Sequence, residues 1–245
     1  MWWSSLFTDM RPSDFFNFSF LPKYGVAFVR GIEYTLLLAV VSVLLAVIPA
    51  LLLAMMRLSK VKPVKWFAGA YIAVFRSTPM LVQLYIVYYG LFGPSGITIP
   101  SFYLFGYINI AQFFPGVVAL ALNSAAYVAE IFRGGILAVD KGQMEAARSL
   151  GLTQWQGMRL VVLPQAIKAI LPALANELVT MVKESSICSV IGMMELMWGA
   201  KTVTTSSYVP LGPYVFAAVI YFCINFPASK AIEAIERRMR RGDKQ

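Results

Sequence analysis

Five stretches of the chain stay apolar over about 20 residues or more, the length a helix needs to cross the hydrocarbon core of a bilayer. They run from Ile32 to Met56, Trp66 to Leu91, Gln112 to Phe132, Gln165 to Ile191 and Val209 to Ser229. A backbone inside the bilayer must satisfy its own hydrogen bonds, so the expectation is an all-α membrane protein with about five transmembrane helices. Composition agrees: 59% of the 245 residues are hydrophobic, 13% are charged, and the mean hydropathy is +0.69. Little chain is left over for a second domain. The first stretch lacks the short apolar core and small-residue cleavage pattern of a removable signal peptide, and is read as a retained helix.

A net charge of +9 would suit a nucleic-acid binder, but its placement argues for a membrane and against nucleic acid. Sixteen of the 21 Lys and Arg residues fall between Arg57 and Arg76, Arg133 and Lys168, and Lys230 and Lys244. A long uncharged loop, Phe92 to Gln112, separates the first two clusters. Basic residues near helix ends are retained on the cytoplasmic side. The clusters then lie inside, the amino terminus outside and the carboxyl terminus inside, an arrangement that five spans satisfy and four or six do not.

The two cysteines, Cys188 and Cys223, sit in separate expected spans with no ligand spacing around them, and the chain has no histidine. Neither a disulfide framework nor a metal site is expected. No GxxxxGK[ST] loop is present to cradle phosphates. If ATP drives this protein, another chain binds and hydrolyses it, and no cofactor is expected here.

Residues 1–24 mix Trp2, Trp3, Phe7, Phe15, Phe16, Phe18 and Phe20 with Asp9, Arg11 and Asp14. That composition suits a segment lying at the membrane interface, or equally a frayed tail. Residues 25–230 form the transmembrane domain. Residues 231–245 form a basic cytoplasmic tail whose Arg237, Arg238, Arg240 and Arg241 suit contact with anionic lipid or a topological anchor.

One segment of the domain, residues 140–164, is too polar to span and too helix-favouring to be a plain loop. Residues 143–150 predict a short helix. Gly151 ends it, because glycine accepts the left-handed conformation there. Thr153 caps a second short helix, residues 154–163, before Pro164 opens the fourth span. Two short helices joined at a sharp glycine bend make a knob on the cytoplasmic face, a shape suited to docking.

Glu145, Ala146, Ala147, Gly151, Val161, Leu163 and Pro164 reproduce the spacing of the EAA loop, with Val161 where isoleucine is usual. The chain therefore resembles the permease subunits of ATP-binding-cassette importers. Residues 75–90, 124–136, 142–152 and 163–192 are similar to one branch, the polar amino-acid permeases related to those for histidine, glutamine, arginine and glutamate. The likeness covers about residues 25–230, with Ser77 where glycine is common and KESSI in place of KDTSL. The resemblance implies a type I importer permease fold and a place in the bacterial cytoplasmic membrane. It also implies a second permease copy or paralogue, a dimer of ATPase subunits docked at the knob, a solute-binding protein outside, and a polar amino acid as cargo. Glu145, Ala146, Ala147, Gly151, Leu163 and Pro164 become the ATPase-coupling residues. Glu145 could otherwise merely favour its helix start electrostatically.

Charged groups at the bilayer centre cost roughly 2.5–3.5 kcal/mol even on lenient scales, yet the fourth span carries Glu177, Lys183 and Glu184. At 100° per residue these three, with Asn176 and Thr180, fall within an arc of roughly 120°, which predicts one wet face. Glu177 could bind a substrate ammonium there, or pair with Lys183. In the second span Pro79 removes a helical donor and leaves backbone groups to be satisfied by side chains or a ligand. Arg76, Ser77, Thr78 and Gln83 around it are candidates for substrate contact. Arg76 could clamp a carboxylate, or anchor the cytoplasmic end of its helix. Asn123 and Tyr127 in the third span are further candidates, although helix-to-helix hydrogen bonds explain such groups as well. An ion-gradient-driven amino-acid transporter or a channel is the alternative function, but no paired repeats of the kind such carriers show are visible. A membrane enzyme lacks any nucleophile-and-base set.

Overall fold

The computed structural model describes residues 16–94 and 96–241. Its first helix, α1 (Leu21–Leu58), is continuous through Pro49 and begins well before the expected Ile32. Most of the aromatic amino-terminal segment lies outside the described residues; Phe18 and Phe20 within it pack against Phe216. The second span is two helices, α2 (Lys62–Ser77) and α3 (Met80–Tyr85), the latter prolonged by a π-helical turn over Ile86–Leu91. The two halves meet at an angle of 108°. A two-stranded hairpin, β1 (Tyr103–Leu104) and β2 (Ile108–Asn109), leads into α4 (Ile110–Leu137), capped by Asn109, whose side chain accepts from the Ala111 amide. The knob helices are α5 (Lys141–Ser149) and α6 (Gln154–Gly157), and a π-helical turn over Met158–Val162 runs on into α7 (Leu163–Glu184). A 3-10 turn over Ser185–Ile191, a short helix α8 (Leu196–Ser207) and the last helix α9 (Gly212–Arg241) complete the chain.

Pairwise contacts fix the two ends of the bundle. Tyr34 meets Phe113 edge to face and Arg57 lies near Glu130, so α1 and α4 run parallel. Around Thr35 and Glu33, α1 touches α8 and the hairpin, where the Leu196 amide donates to Thr35 and the Tyr107 hydroxyl donates to Glu33. That bond to Glu33 holds the Tyr107 phenol above its usual range. The knob follows the opposite end of α4. Four long helices and one bent pair therefore have the length and apolarity for up to five crossings.

Close packing of α1, α2 and α4 relies on alanine: Ala46, Ala50, Ala68, Ala125, Ala126 and Ala129 are buried together. Small side chains let backbones approach where lipid supplies no hydrophobic drive. A larger cluster between α1, α3, α4 and α7 is built on Tyr34, Leu38, Leu84, Leu120 and Met181. By contrast, almost none of the apolar stretch of α9 is buried by the rest of the chain.

One sequence expectation needs correction. Pro164 does not open a separate span after a helix ending at Leu163: α6, the π turn and α7 are one continuous element. The Leu163 amide reaches back five residues to the Met158 carbonyl. A proline clashes with the carbonyl four residues before it, and a wider π turn relieves that clash without breaking the helix. The described part of the basic tail is helical, because α9 runs unbroken from the last span through Lys230 to Arg241.

The segment between the last two spans held no expected element, and α8 forms there. Glu195 is fully buried, caps α8 by accepting from the Met197 and Trp198 amides at 2.8 and 2.6 Å, and accepts from the Tyr221 hydroxyl at 3.1 Å. A Cβ on Gly31 would lie 2.8 Å from the Leu196 Cα, so α1 carries glycine where α8 crosses it.

Candidate functional site

The break between α2 and α3 exposes backbone carbonyls at membrane depth, and buried amides satisfy them. Gln83 Nε2 donates to the Phe75 and Thr78 carbonyls at 2.8 and 3.0 Å and to Thr78 Oγ1 at 2.8 Å. Asn123 on α4 donates to Gln83 Oε1 at 2.8 Å and lies 3.4 Å from the Phe75 carbonyl. Gln83 thus serves the bend itself, and Asn123 ties that bend to α4.

Against this bend lies a cavity of about 370 Å³, lined by Thr78, Met80, Asn123, Tyr127, Glu177, Thr180, Met181, Glu184 and Ile187. Two carboxylates face it and no basic side chain does. Glu177 is 8% exposed and accepts from Ser124 Oγ at 2.9 Å, which leaves its other oxygen for a ligand. The Thr180 hydroxyl donates to the Asn176 carbonyl at 3.1 Å, so its oxygen can still accept.

The candidate residues divide as follows. Thr78, Asn123, Tyr127, Glu177, Thr180 and Glu184 come together in this cavity. Arg76 and Ser77 line a neighbouring chamber that shares Tyr127 as a wall. Asn176 and Lys183 do not join Glu177. Asn176 borders a cavity of about 600 Å³ between α4, α7 and α9, and Lys183 lies in a groove against Tyr221, Asn225 and Phe226 of α9. The expected single wet face of α7 is therefore split, and no ion pair joins Glu177 to Lys183 among the described residues. Six residues at 100° per residue turn Lys183 about 120° away from Glu177, and α7 has different neighbours on those two sides.

At the knob, Asp140 caps α5 through the Gly142 amide, and Gly151 closes it at φ 85°. The Leu152 amide donates to the Ala147 carbonyl and the Gly151 amide to Arg148, the paired bonds of a Schellman motif. Thr153 and Gln156 form a reciprocal capping box on α6. Glu145 and Ala146 face solvent, whereas Ala147 is buried. Gly157 lies against it, where a Cβ would meet Met144 Sδ at 2.8 Å and the Ala147 Cβ at 3.4 Å. Gly157 and Met144 are thus knob residues that the motif did not flag, as are Leu150 and Trp155, exposed at 84% and 71%. Leu163 and Pro164 are partly exposed where α7 leaves the knob. Gln165 Nε2 donates to Gln143 Oε1, joining α7 to the start of α5.

Polar cavities walled by membrane-length helices, with a two-helix protrusion at one end, suit a permease that passes a solute across a bilayer. The comparison with known families agrees: the model described as binding-protein-dependent transport system inner membrane component matches residues 42–241, and the chain belongs to that family. It is 41% identical to the arginine transport system permease protein ArtQ of Bacillus subtilis (strain 168), over 88% of this chain and 93% of the relative. It is 40% identical to the octopine transport system permease protein OccM of Rhizobium meliloti, over 89% and 87%. Among solved structures, an amino acid ABC transporter crystallised with histidines matches with a TM-score of 0.81 and 46% identity, covering 91% of this chain and 98% of that one. The MetNI methionine ABC transporter, at 22% identity and a TM-score of 0.65, shares the fold.

Proposed function

We propose that this chain is the membrane-embedded subunit of an ATP-driven importer that carries a cationic amino acid into the cytoplasm. The observation that supports this reading is the cavity holding Glu177 and Glu184 with no basic side chain beside them. Two carboxylates kept close at membrane depth repel each other and are poorly solvated. A cation with two charged ends, an α-ammonium and a basic side chain, relieves both costs. Relatives whose names specify arginine or octopine, and a related transporter crystallised with histidines, accord with a nitrogen-rich cargo.

In this reading a pair of permeases, identical or paralogous, encloses the pathway. A separate ATPase dimer binds the knobs through Glu145, Ala146 and the exposed Leu150 and Trp155, and Leu163 and Pro164 pass its movement to α7. A solute-binding protein delivers cargo on the opposite face. The amino terminus lies outside and the carboxyl terminus inside, in the bacterial cytoplasmic membrane, because the basic clusters mark the inner face. An ion-gradient-driven carrier is not favoured.

Reconstituting the chain with its ATPase and binding protein in liposomes tests the function. Arginine, lysine or histidine should stimulate ATP hydrolysis and be taken up, and dissipating ion gradients should leave uptake unchanged. Uptake by the chain without an ATPase, or stimulation by acidic amino acids alone, would refute the proposal. Orientation is tested separately by single cysteines in a background lacking Cys188 and Cys223. A cysteine at Ser206, on α8, should react with an impermeant thiol reagent from outside, and one at Gln154, on the knob, only from inside. The opposite labelling pattern reverses the topology.

A further inference from the structure

The chamber beside the carboxylate cavity has the opposite charge and a different set of unmet bonds. It measures about 450 Å³ and is lined by Arg57, Gly69, Arg76, Ser77, Tyr127 and Glu130, among others. One oxygen of its one carboxylate is engaged: Glu130 Oε2 accepts from Arg133 Nε and Nη2 at 3.0 and 2.6 Å. Glu130 Oε1 stands 3.7 Å from Arg57 Nε, and both of these buried atoms lack a hydrogen-bond partner. Among the described residues Arg76 has no hydrogen-bonding partner either; its guanidinium lies 5.2 Å from the centre of the Tyr127 ring. Two planar forks, each able to donate five hydrogen bonds, thus open on one chamber, whose unpartnered carboxylate oxygen, Glu130 Oε1, stands 3.7 Å from Arg57 Nε, too far for a hydrogen bond.

The position of Arg57 is built in. A Cβ on Gly69 would lie 3.1 Å from Arg57 Nη1, so α2 carries glycine where the guanidinium rests against it. Depth supplies the remaining argument. Arg57 is in the last turn of α1, followed at once by Lys60, Lys62 and Lys65. Trp66 and Phe67 on α2 are 73% and 66% exposed, an aromatic pair of the kind favoured at headgroup level. Phospholipid phosphates lie at that level, and basic pockets between helices on the cytoplasmic side suit anionic headgroups.

We propose that this chamber is an oxyanion site that binds the phosphate of an anionic phospholipid, with Arg57 and Arg76 as the two forks and the Ser77 hydroxyl beside them. Guanidinium groups match phosphate geometry through paired donors. The headgroup would also bring an acceptor within hydrogen-bond distance of Arg57 Nε, which Glu130 Oε1 at 3.7 Å does not. A lipid held there bridges α1 to α2 at the base of the bent span, next to the Tyr127 wall of the carboxylate cavity.

The test uses the full chain in complex with its ATPase, in neutral detergent and stripped of lipid. Native mass spectrometry titrates it with phosphatidylglycerol, phosphatidylcholine and inorganic phosphate. A micelle has no inner and outer side, so the result does not depend on the orientation argued above. Phosphatidylglycerol should bind at least tenfold more tightly than phosphatidylcholine. Arg76→Gln, at an exposed position that the fold does not need, should weaken it about tenfold or more by removing one charge-assisted contact. Gly69→Ala should weaken it as well by displacing the Arg57 fork while both arginines remain. Equal binding of the two lipids, or phosphatidylglycerol binding unchanged in both variants, overturns the proposal. Saturable capture of inorganic phosphate that phosphatidylglycerol cannot displace assigns the chamber to a free anion and overturns the lipid source.

Discussion

Replacing Gly151 with valine should uncouple the transporter: the variant inserts and folds, but the ATPase no longer co-purifies with it and uptake is lost. At φ 85° Gly151 adopts a conformation that costs an ordinary L-residue about 1–2 kcal/mol, and a β-branched one more. Space is not the obstacle, since nothing lies within 4 Å of a Cβ built there. The penalty falls on the Schellman bonds that Leu152 and Gly151 make to Ala147 and Arg148. Relaxing them swings α6 away from α5 and changes how Leu150 and Trp155, two large exposed apolar groups of the knob, are presented. The helices of the membrane bundle are remote from this bend and keep their packing. A graded series strengthens the argument: asparagine, which tolerates the left-handed region, should retain most coupling, alanine less, and valine none. Normal recovery of the ATPase with Gly151→Val would show that the hinge geometry is not what docks.

The second large effect is expected at Glu177. Glu177→Gln keeps the side-chain shape and the bond from Ser124 but removes the charge that favours a cation. Losing a charge-assisted contact should weaken substrate binding by about 1.5–3 kcal/mol, or roughly ten- to a hundredfold. Half-saturation for arginine should rise accordingly, while basal ATP hydrolysis, which the proposed assembly assigns to a separate subunit, should persist. The absence of Lys183 from the cavity simplifies the interpretation, since neutralising Glu177 leaves no buried ammonium behind. Ser124→Ala serves as the structural control. It removes the bond to Glu177 but keeps the charge, so a purely structural role for Glu177 predicts that Ser124→Ala loses thermal stability while Glu177→Gln, which keeps that bond, changes neither stability nor half-saturation. An unchanged half-saturation in a stable Glu177→Gln complex would remove Glu177 from the binding site.

These outcomes bear on how far a linear reading could reach. Spans were legible because apolar length is a local property: about 20 residues either can or cannot cross a hydrocarbon core. The knob was legible for the same kind of reason, as Gly151 and Thr153 act through their own backbone and that of residues within one turn. Pro79 likewise announced a break in the second span, though not its angle of 108°, which depends on Gln83 and Asn123 holding the freed carbonyls. Even α8 carried a weak local sign, but glutamate is not among the favoured capping residues. The burial of Glu195 rests on the local Met197 and Trp198 amides together with the Tyr221 hydroxyl, which arrives from a distant helix.

The polar residues of α7 mark the boundary most clearly. Helical periodicity assigns each of them an angle on its own axis, and Glu177, Glu184, Asn176 and Lys183 were all within reach of one face by that measure alone. Which neighbour stands at each angle is a tertiary fact. With α4 and the bent second span on one side of α7 and α9 on another, the same arc divides into a carboxylate cavity, a separate polar cavity and a lysine groove. By itself the sequence determined that this chain crosses a membrane about five times and ends one loop in a hinged knob, because chain length, apolarity and single-residue backbone preference decide those things. Packing alone decided which charges share a space, because the partners of each charge come from helices tens of residues away.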